Sequence, residues 1–156
     1  MRPLQYSNSK TLKLNKVLIK TLEKDDLENF VTTVEQMENY IKSKGSQTIG
    51  PLIQHIESSV NEQGEIDIVI KLLRQSSNFI QHVEPPYEMK SVIRVKNCMY
   101  VRYTGPESKL KFAYDKINLT AFEEDIELKG DSYTIFVDQN EDNIIADVFM
   151  EKANEQ

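Results

Sequence analysis

The sequence predicts an α+β fold: duplicated β-α-β-β units forming one mostly antiparallel sheet with two helices on one face. Three observations carry that prediction. The order strand, helix, strand, strand occurs twice, over about residues 11–73 and again over 89–150. Each copy holds one long amphipathic helix. Each closes with a hairpin over a polar loop, Asn61-Glu62-Gln63-Gly64 in the first and residues 139–143 in the second. A length of 156 residues suits a single domain over 11–151 whose halves, about 11–83 and 88–151, share one core. Residues 1–10 are polar and read as a flexible N-terminal segment.

The first strand carries Leu12, Leu14, Val17 and Ile19, and its alternation changes register between Leu14 and Val17, which a bulge or bend accommodates. Asp25 and Asp26 cap a helix predicted over 26–44, whose stripe is Leu27, Phe30, Val31, Val34, Met37 and Ile41 and whose stop is Gly45. Gly50-Pro51 opens a second strand over 52–56. A third strand, 65–73, places Ile66, Ile68, Ile70 and Leu72 on one face, so Ile68 is expected to be buried. Residues 79–83 read as a short strand, and Pro85-Pro86 as a connector that no central strand contains.

The second half opens on a long strand in which Met99, Val101 and Tyr103 alternate with Tyr100 and Arg102. Gly105 permits a sharp turn and Pro106 suits the first turn of the helix predicted over 107–124. Leu110, Ala113, Tyr114 and Ile117 form its apolar stripe. Strands over 133–137 and 144–150 follow. With both helices on one face of the sheet, the opposite face, between the halves, is expected to form a groove.

Net charge is −6, and residues 79–156 hold fifteen of the 25 acidic but only nine of the 19 basic side chains. No basic stripe exists to neutralise phosphates, which argues against direct nucleic-acid binding. No apolar run approaches a membrane span, and MRPLQYSNSK lacks a signal-peptide core, so a cytoplasmic location is expected. Cys98 is the only cysteine, which rules out an internal disulfide. His55, His82 and Cys98 lie on separate segments without metal-ligand or nucleophile spacing. The five glycines fall at turns, not in a phosphate loop. No catalytic residue, metal site or cofactor is expected.

The run Tyr100-Val101-Arg102-Tyr103-Thr104-Gly105-Pro106, followed by Leu110 and Ala113-Tyr114, resembles the gyrase-inhibitor-like effector-binding superfamily. So do the Gly50-Pro51 segment and the strand at 65–73, and the likeness covers about 11–150. It implies a duplicated strand-helix-strand-strand domain that binds effectors and is not an enzyme. With no room for a helix-turn-helix before Thr11, it implies a stand-alone member. Relatives place a buried Glu in the penultimate strand, where it meets cationic effectors. The matching segment here is Tyr133-Thr134-Ile135-Phe136, with Thr134 in the acid's place. A hydroxyl cannot supply that charge, so no useful affinity for lipophilic cations is expected unless Asp147 provides the carboxylate.

Two functions follow. The first is a non-enzymatic binding domain whose groove holds a small aromatic ligand or a protein partner, with Tyr103, Tyr133, Arg102, Thr134 and Asp147 as candidate ligand contacts. By alternation Arg102 points away from Tyr103. The alternative is an accessory or chaperone-like protein binding a toxin or secretion substrate, since small relatives of this fold occur in gene clusters of Gram-positive specialised, type VII-like secretion systems.

Overall fold

The computed structural model describes residues 4–153. The elements are β1 (Leu4–Thr21), α1 (Lys24–Glu28), α2 (Phe30–Ser43), β2 (Thr48–Val60), β3 (Ile66–Ser76), β4 (Tyr87–Gly105), α3 (Lys111–Glu123), β5 (Asp131–Gln139) and β6 (Ile144–Glu151). The fold is α+β and its sheet is antiparallel throughout, but it does not stay open. The strands close into a barrel in the order β1-β3-β2-β5-β6-β4. Two seams join the N-terminal three strands to the C-terminal three. One is the long β1–β4 ladder, from Leu4↔Tyr103 to Lys20↔Tyr87. The other, β2–β5, pairs only five residues, from Ile53↔Ile135 to Glu57↔Asp131.

Closure sorts the apolar residues by parity. Leu12, Leu14, Val17, Ile19, Ile53, Leu73, Val95, Cys98, Tyr100, Tyr133 and Phe149 form one cluster drawn from all six strands, which is the barrel interior. The helices pack outside. Met37 and Ile41 of α2 lie on Leu18 and Leu72. Ala113, Ile117 and Ala121 of α3 lie on Met99, Val101, Tyr103, Ala146 and Val148. The alternation expected to change between Leu14 and Val17 does so at Lys16, whose φ is 52°, while the β1–β4 ladder keeps its register from Leu12↔Val95 to Lys20↔Tyr87. A similar change follows Val95 at Asn97, with φ 56°. Both keep the apolar side of a long strand turned inward as the strand curves.

Several expectations are corrected. The face opposite the helices closes into the barrel interior, and the groove expected there between the halves is reduced to a cavity of about 240 Å³ lined by Ile19, His55, Leu73, Ile93 and Tyr133. Residues 4–10, expected to lie outside the domain, belong to β1: Leu4, Gln5, Tyr6, Ser7 and Lys10 pair with β4, and Leu4 and Tyr6 pack beneath α3. Residues 1–3 of that segment lie outside the described residues. The first predicted helix is two, broken at Asn29, where φ is −121° and ψ is 49°. The N-cap of the first is Glu23, not Asp25 or Asp26; Asp26, within the first turn, completes a capping box by accepting the Glu23 N–H at 2.8 Å. The second predicted helix begins with a tight 3₁₀ turn, Glu107–Lys109, before α3. Residues 79–83 form no strand; buried Ile80 anchors that stretch under α2. Ile68 is 63% exposed: Ile70 and Leu72 of the same face pack with Met37 and Ile41, and Ile68 joins no core cluster.

Candidate functional site

A wide concavity lies on the helix side of the sheet, where the β2–β5 seam stops. Pairing ends at Ile53↔Ile135. Beyond it, Pro51 has no N–H to continue a ladder, and Gly50 holds φ at 74°, a conformation that suits glycine. The β2–β3 register shifts across the same stretch, between Ile49 and Ile53. Past Phe136, β5 has its own irregularity against β6. The unpaired ends leave a cavity of about 650 Å³, within the usual size for small-molecule sites.

Its walls are apolar with a few polar groups. Leu52 and Phe136 are half-buried, and Phe30 and Val137 are 36% and 39% exposed. Phe30 is the first residue of α2, so the break at Asn29 delivers it to the rim. Gln54, Gln139, Glu107 and Arg74 supply polarity. Glu107 stands exposed at the entrance to the second helical segment. Arg74, on β3, is only 12% exposed. It meets Glu38 of α2 through Nη2 at 3.3 Å. Its Nε is buried with no hydrogen-bond partner. Burial pushes the guanidinium below its ordinary value, and the Glu38 carboxylate works against that.

The sequence-predicted contacts are not assembled in one place. Thr134 faces the helix side, opposite Gln54 of the groove in the β2–β5 register, but it is buried and shares a short hydrogen bond with the Tyr114 hydroxyl of α3. Tyr103 is buried under α3, its hydroxyl donating to the Pro106 carbonyl. Tyr133 lies in the barrel interior, stacked on His55 with ring centroids 3.9 Å apart. Burial, followed by nearby carboxylates, holds its phenol well above the usual range. The structure does bring Arg102 and Asp147 together, on the opposite face from Tyr103. Arg102 donates to Asp147 through Nε at 2.7 Å and Nη2 at 2.9 Å, and the Tyr100 hydroxyl donates to the same carboxylate at 2.8 Å. Asp147 thus already holds one cation, and a second would have to compete with Arg102 for the carboxylate.

His55 is a buried residue of strand β2. Its Nε2 lies 3.2 Å from Asp131 Oδ2, and its Nδ1 lies 3.6 Å from Glu57. Among the described residues no group of three or more His, Cys, Asp and Glu is placed to hold a metal, and no helix is long and apolar enough to cross a membrane. Phe30, Leu52, Arg74 and Phe136, which line this groove, are not among the contacts expected from the sequence. A signal was available for Arg74, which continues the two-residue series Ile66, Ile68, Ile70, Leu72 and so falls on a helix-covered face. Gly50-Pro51 inside a strand was a second signal, marking a break in the ladder.

No protein-family model matches the chain, and no curated protein matches it. Solved structures do. The EcmrR chain in a cryo-EM structure of an EcmrR–DNA complex in EcmrR-RPo superposes over 96% of this chain with a TM-score of 0.72 at 14% identity. This chain spans 57% of the length of that one. SAV2435, solved bound to tetraphenylphosphonium, matches 95% of each chain with a TM-score of 0.52 at 9% identity. A hydrolase encoded by lin2189 from Listeria innocua covers 94% of this chain and 92% of its own, with a TM-score of 0.53 at 12% identity. At such identities the likeness is one of fold, and the fold fits the gyrase-inhibitor-like architecture that the sequence resembles.

Proposed function

We propose that this chain is a non-enzymatic ligand-binding domain of the gyrase-inhibitor-like kind, and that the groove where β2 and β5 part holds a small aromatic molecule. The observation that carries the reading is the groove itself: about 650 Å³ walled by half-exposed Phe30, Leu52, Phe136 and Val137. Those side chains lack full burial in the free protein, and a flat apolar guest would complete it. The ligand-bound SAV2435 fold supports the choice of a small molecule. The strand order, with three strands from each half on either side of the groove, supports reading the domain as two repeated units. Of the expected contacts, Thr134 is the one nearest this groove through its partner Gln54. In this reading Tyr103, Tyr133, Arg102 and Asp147 hold the frame.

The test uses the neutral fluorophore N-phenyl-1-naphthylamine. It is expected to brighten on binding the protein, and Phe136→Ala is expected to weaken binding by about fivefold or more, the loss of part of an aromatic contact. Binding that is unchanged in both Phe136→Ala and a groove-filling Gln54→Trp would place the dye elsewhere and remove the proposal.

A second reading, an accessory protein that binds a partner, is favoured by one observation. Val60, Ile66 and Ile68 are 70%, 71% and 63% exposed at the tip of the β2–β3 hairpin, more apolar surface than a free hairpin tip needs. In that reading a double Ile66→Lys, Ile68→Lys variant folds normally, keeps dye binding in the groove and loses the partner.

A further inference from the structure

We propose that the groove selects for an apolar ligand carrying a carboxylate or similar anionic acceptor, which docks on Arg74. The inference rests on the groove being the ligand site and adds the chemical class of its occupant. Arg74 lines the groove and is 12% exposed, so its charge has left most of its water. What it receives in exchange is incomplete. Glu38 meets only Nη2, at 3.3 Å, and is itself 39% exposed, so solvent weakens that contact. The neighbouring donor, Nε, is buried and unpaired. A buried donor without an acceptor is a rarity that calls for a partner. A guanidinium presents its donors as a planar fork that matches a carboxylate. A ligand carboxylate that meets the guanidinium from the groove, with the side chain turning to bring Nε out of its buried position, would satisfy the orphan donor, and its charge would work against the burial that now pushes Arg74 down.

The remaining groups around the groove do not favour a cation. Thr134 and Tyr114 are tied to each other as neutral hydroxyls. Asp147 belongs to the other face and is held by Arg102. Glu107 is the one acidic side chain in the groove lining, and it stands in solvent at the rim, where water and salt screen it. The arrangement is therefore a wet acid at the mouth and a dry, half-satisfied cation in the wall. The wall decides, because charge interactions strengthen as water is excluded.

Two probes with the same ring system and opposite charge test this: 2-naphthoate and 2-naphthylmethylammonium, each competing with N-phenyl-1-naphthylamine. On the wild-type protein 2-naphthoate is expected to displace the dye at concentrations about tenfold lower than the ammonium, as a charge-assisted hydrogen bond allows. Arg74→Gln should erase that preference, and Glu38→Gln, which frees Arg74 of its competitor, should tighten 2-naphthoate binding severalfold. If Arg74→Gln does not fold, the two probes on the wild type and the Glu38→Gln variant still decide. Equal or better binding of the ammonium overturns the inference. So does 2-naphthoate binding that neither variant alters. If the dye binds the groove but the anion has no advantage, the groove reading stands and only the ligand class falls. If neither dye nor probes bind the wild type, both fall.

Discussion

Asp147 illustrates how neighbours set the meaning of a residue. As a lone acid in a strand it is a candidate counter-charge for a cationic ligand; in the structure it accepts two hydrogen bonds from Arg102 and one from Tyr100. Asp147→Asn should therefore act on stability, not on the groove. Arg102 is 38% exposed and keeps some hydration, so the loss should be about 1–2 kcal/mol by urea unfolding, at the low end for charged hydrogen bonds. A change below about 0.3 kcal/mol would show that solvent screens the pair. Two protons held inside the barrel make a second prediction. Burial, then the charges of Glu151 and Asp131, push the Cys98 thiol from 9.0 up to about 12. Burial, then its hydrogen bond to Asp147, pushes the Tyr100 phenol from 10.0 to about 12. Both pKa values are higher in the folded state, so the folded chain keeps these protons where the unfolded chain has lost them. Their contribution is whole below about pH 9 and is lost as pH rises from about 9 to about 12. Urea midpoints measured at pH 8, 10 and 11 should fall in that order, and Tyr100→Phe should flatten the decline above pH 10. A flat profile in the wild type would contradict the burial of both groups. Little of this was legible beforehand, since alternation places Arg102 opposite Tyr103 but does not say which strand lies beside it.

At the scale of elements, the sequence located strands and their faces well and misjudged what covers them. Ile66, Ile68, Ile70 and Leu72 do share a face of β3. Leu72 is fully buried beneath Met37 and Ile41, whereas Ile68 is exposed and joins no core cluster. Periodicity reports direction, not coverage, and coverage depends on what another part of the chain lays over the strand. Leu72→Ala should cost about 2–5 kcal/mol in urea unfolding and Ile68→Ala less than about 0.5 kcal/mol. Similar losses at the two positions would mean that β3 has a different cover. The Gly105-Pro106 junction was legible for a sounder reason, because glycine there answers a local demand. Its φ is 155°, and a Cβ added to it would lie 2.7 Å from the Tyr103 hydroxyl oxygen. Gly105→Ala should destabilise by about 1–3 kcal/mol through backbone strain and loss of the Tyr103 contact to Pro106. Recovery of that loss in the double variant with Tyr103→Phe would assign part of it to the clash.

For the whole molecule, the grouping of elements into two strand-helix-strand-strand runs was readable, but barrel closure was not. The β1–β4 ladder that closes the barrel runs from residues 12–20 against residues 87–95 on into residues 4–10 against the far end of β4, nearly a hundred positions along the chain, and residues 4–10 look like a polar tail. Leu4 and Tyr6 are their only strand-like signal, and their partners cannot be known from the segment alone. The two seams then divide the work. The β1–β4 seam is long and holds the halves together, while the short β2–β5 seam opens into the groove on the other side of the barrel. Deleting residues 1–10 tests that division. It removes the ladder from Leu4↔Tyr103 to Lys10↔Cys98 and the packing of Leu4 and Tyr6 under α3. Two half-buried apolar side chains contribute about 1 kcal/mol or more each, and the lost ladder bonds add to that. A total loss of about 2–4 kcal/mol in urea unfolding is expected, with light scattering showing association through the bared edge of β4. Binding of N-phenyl-1-naphthylamine by the folded fraction should persist, because the groove lies at the opposite seam. A truncated protein as stable as the full chain would show that the tail merely lies along β4. A stable fold that has lost dye binding would show instead that the two seams are coupled, and that closing one sets the width of the other.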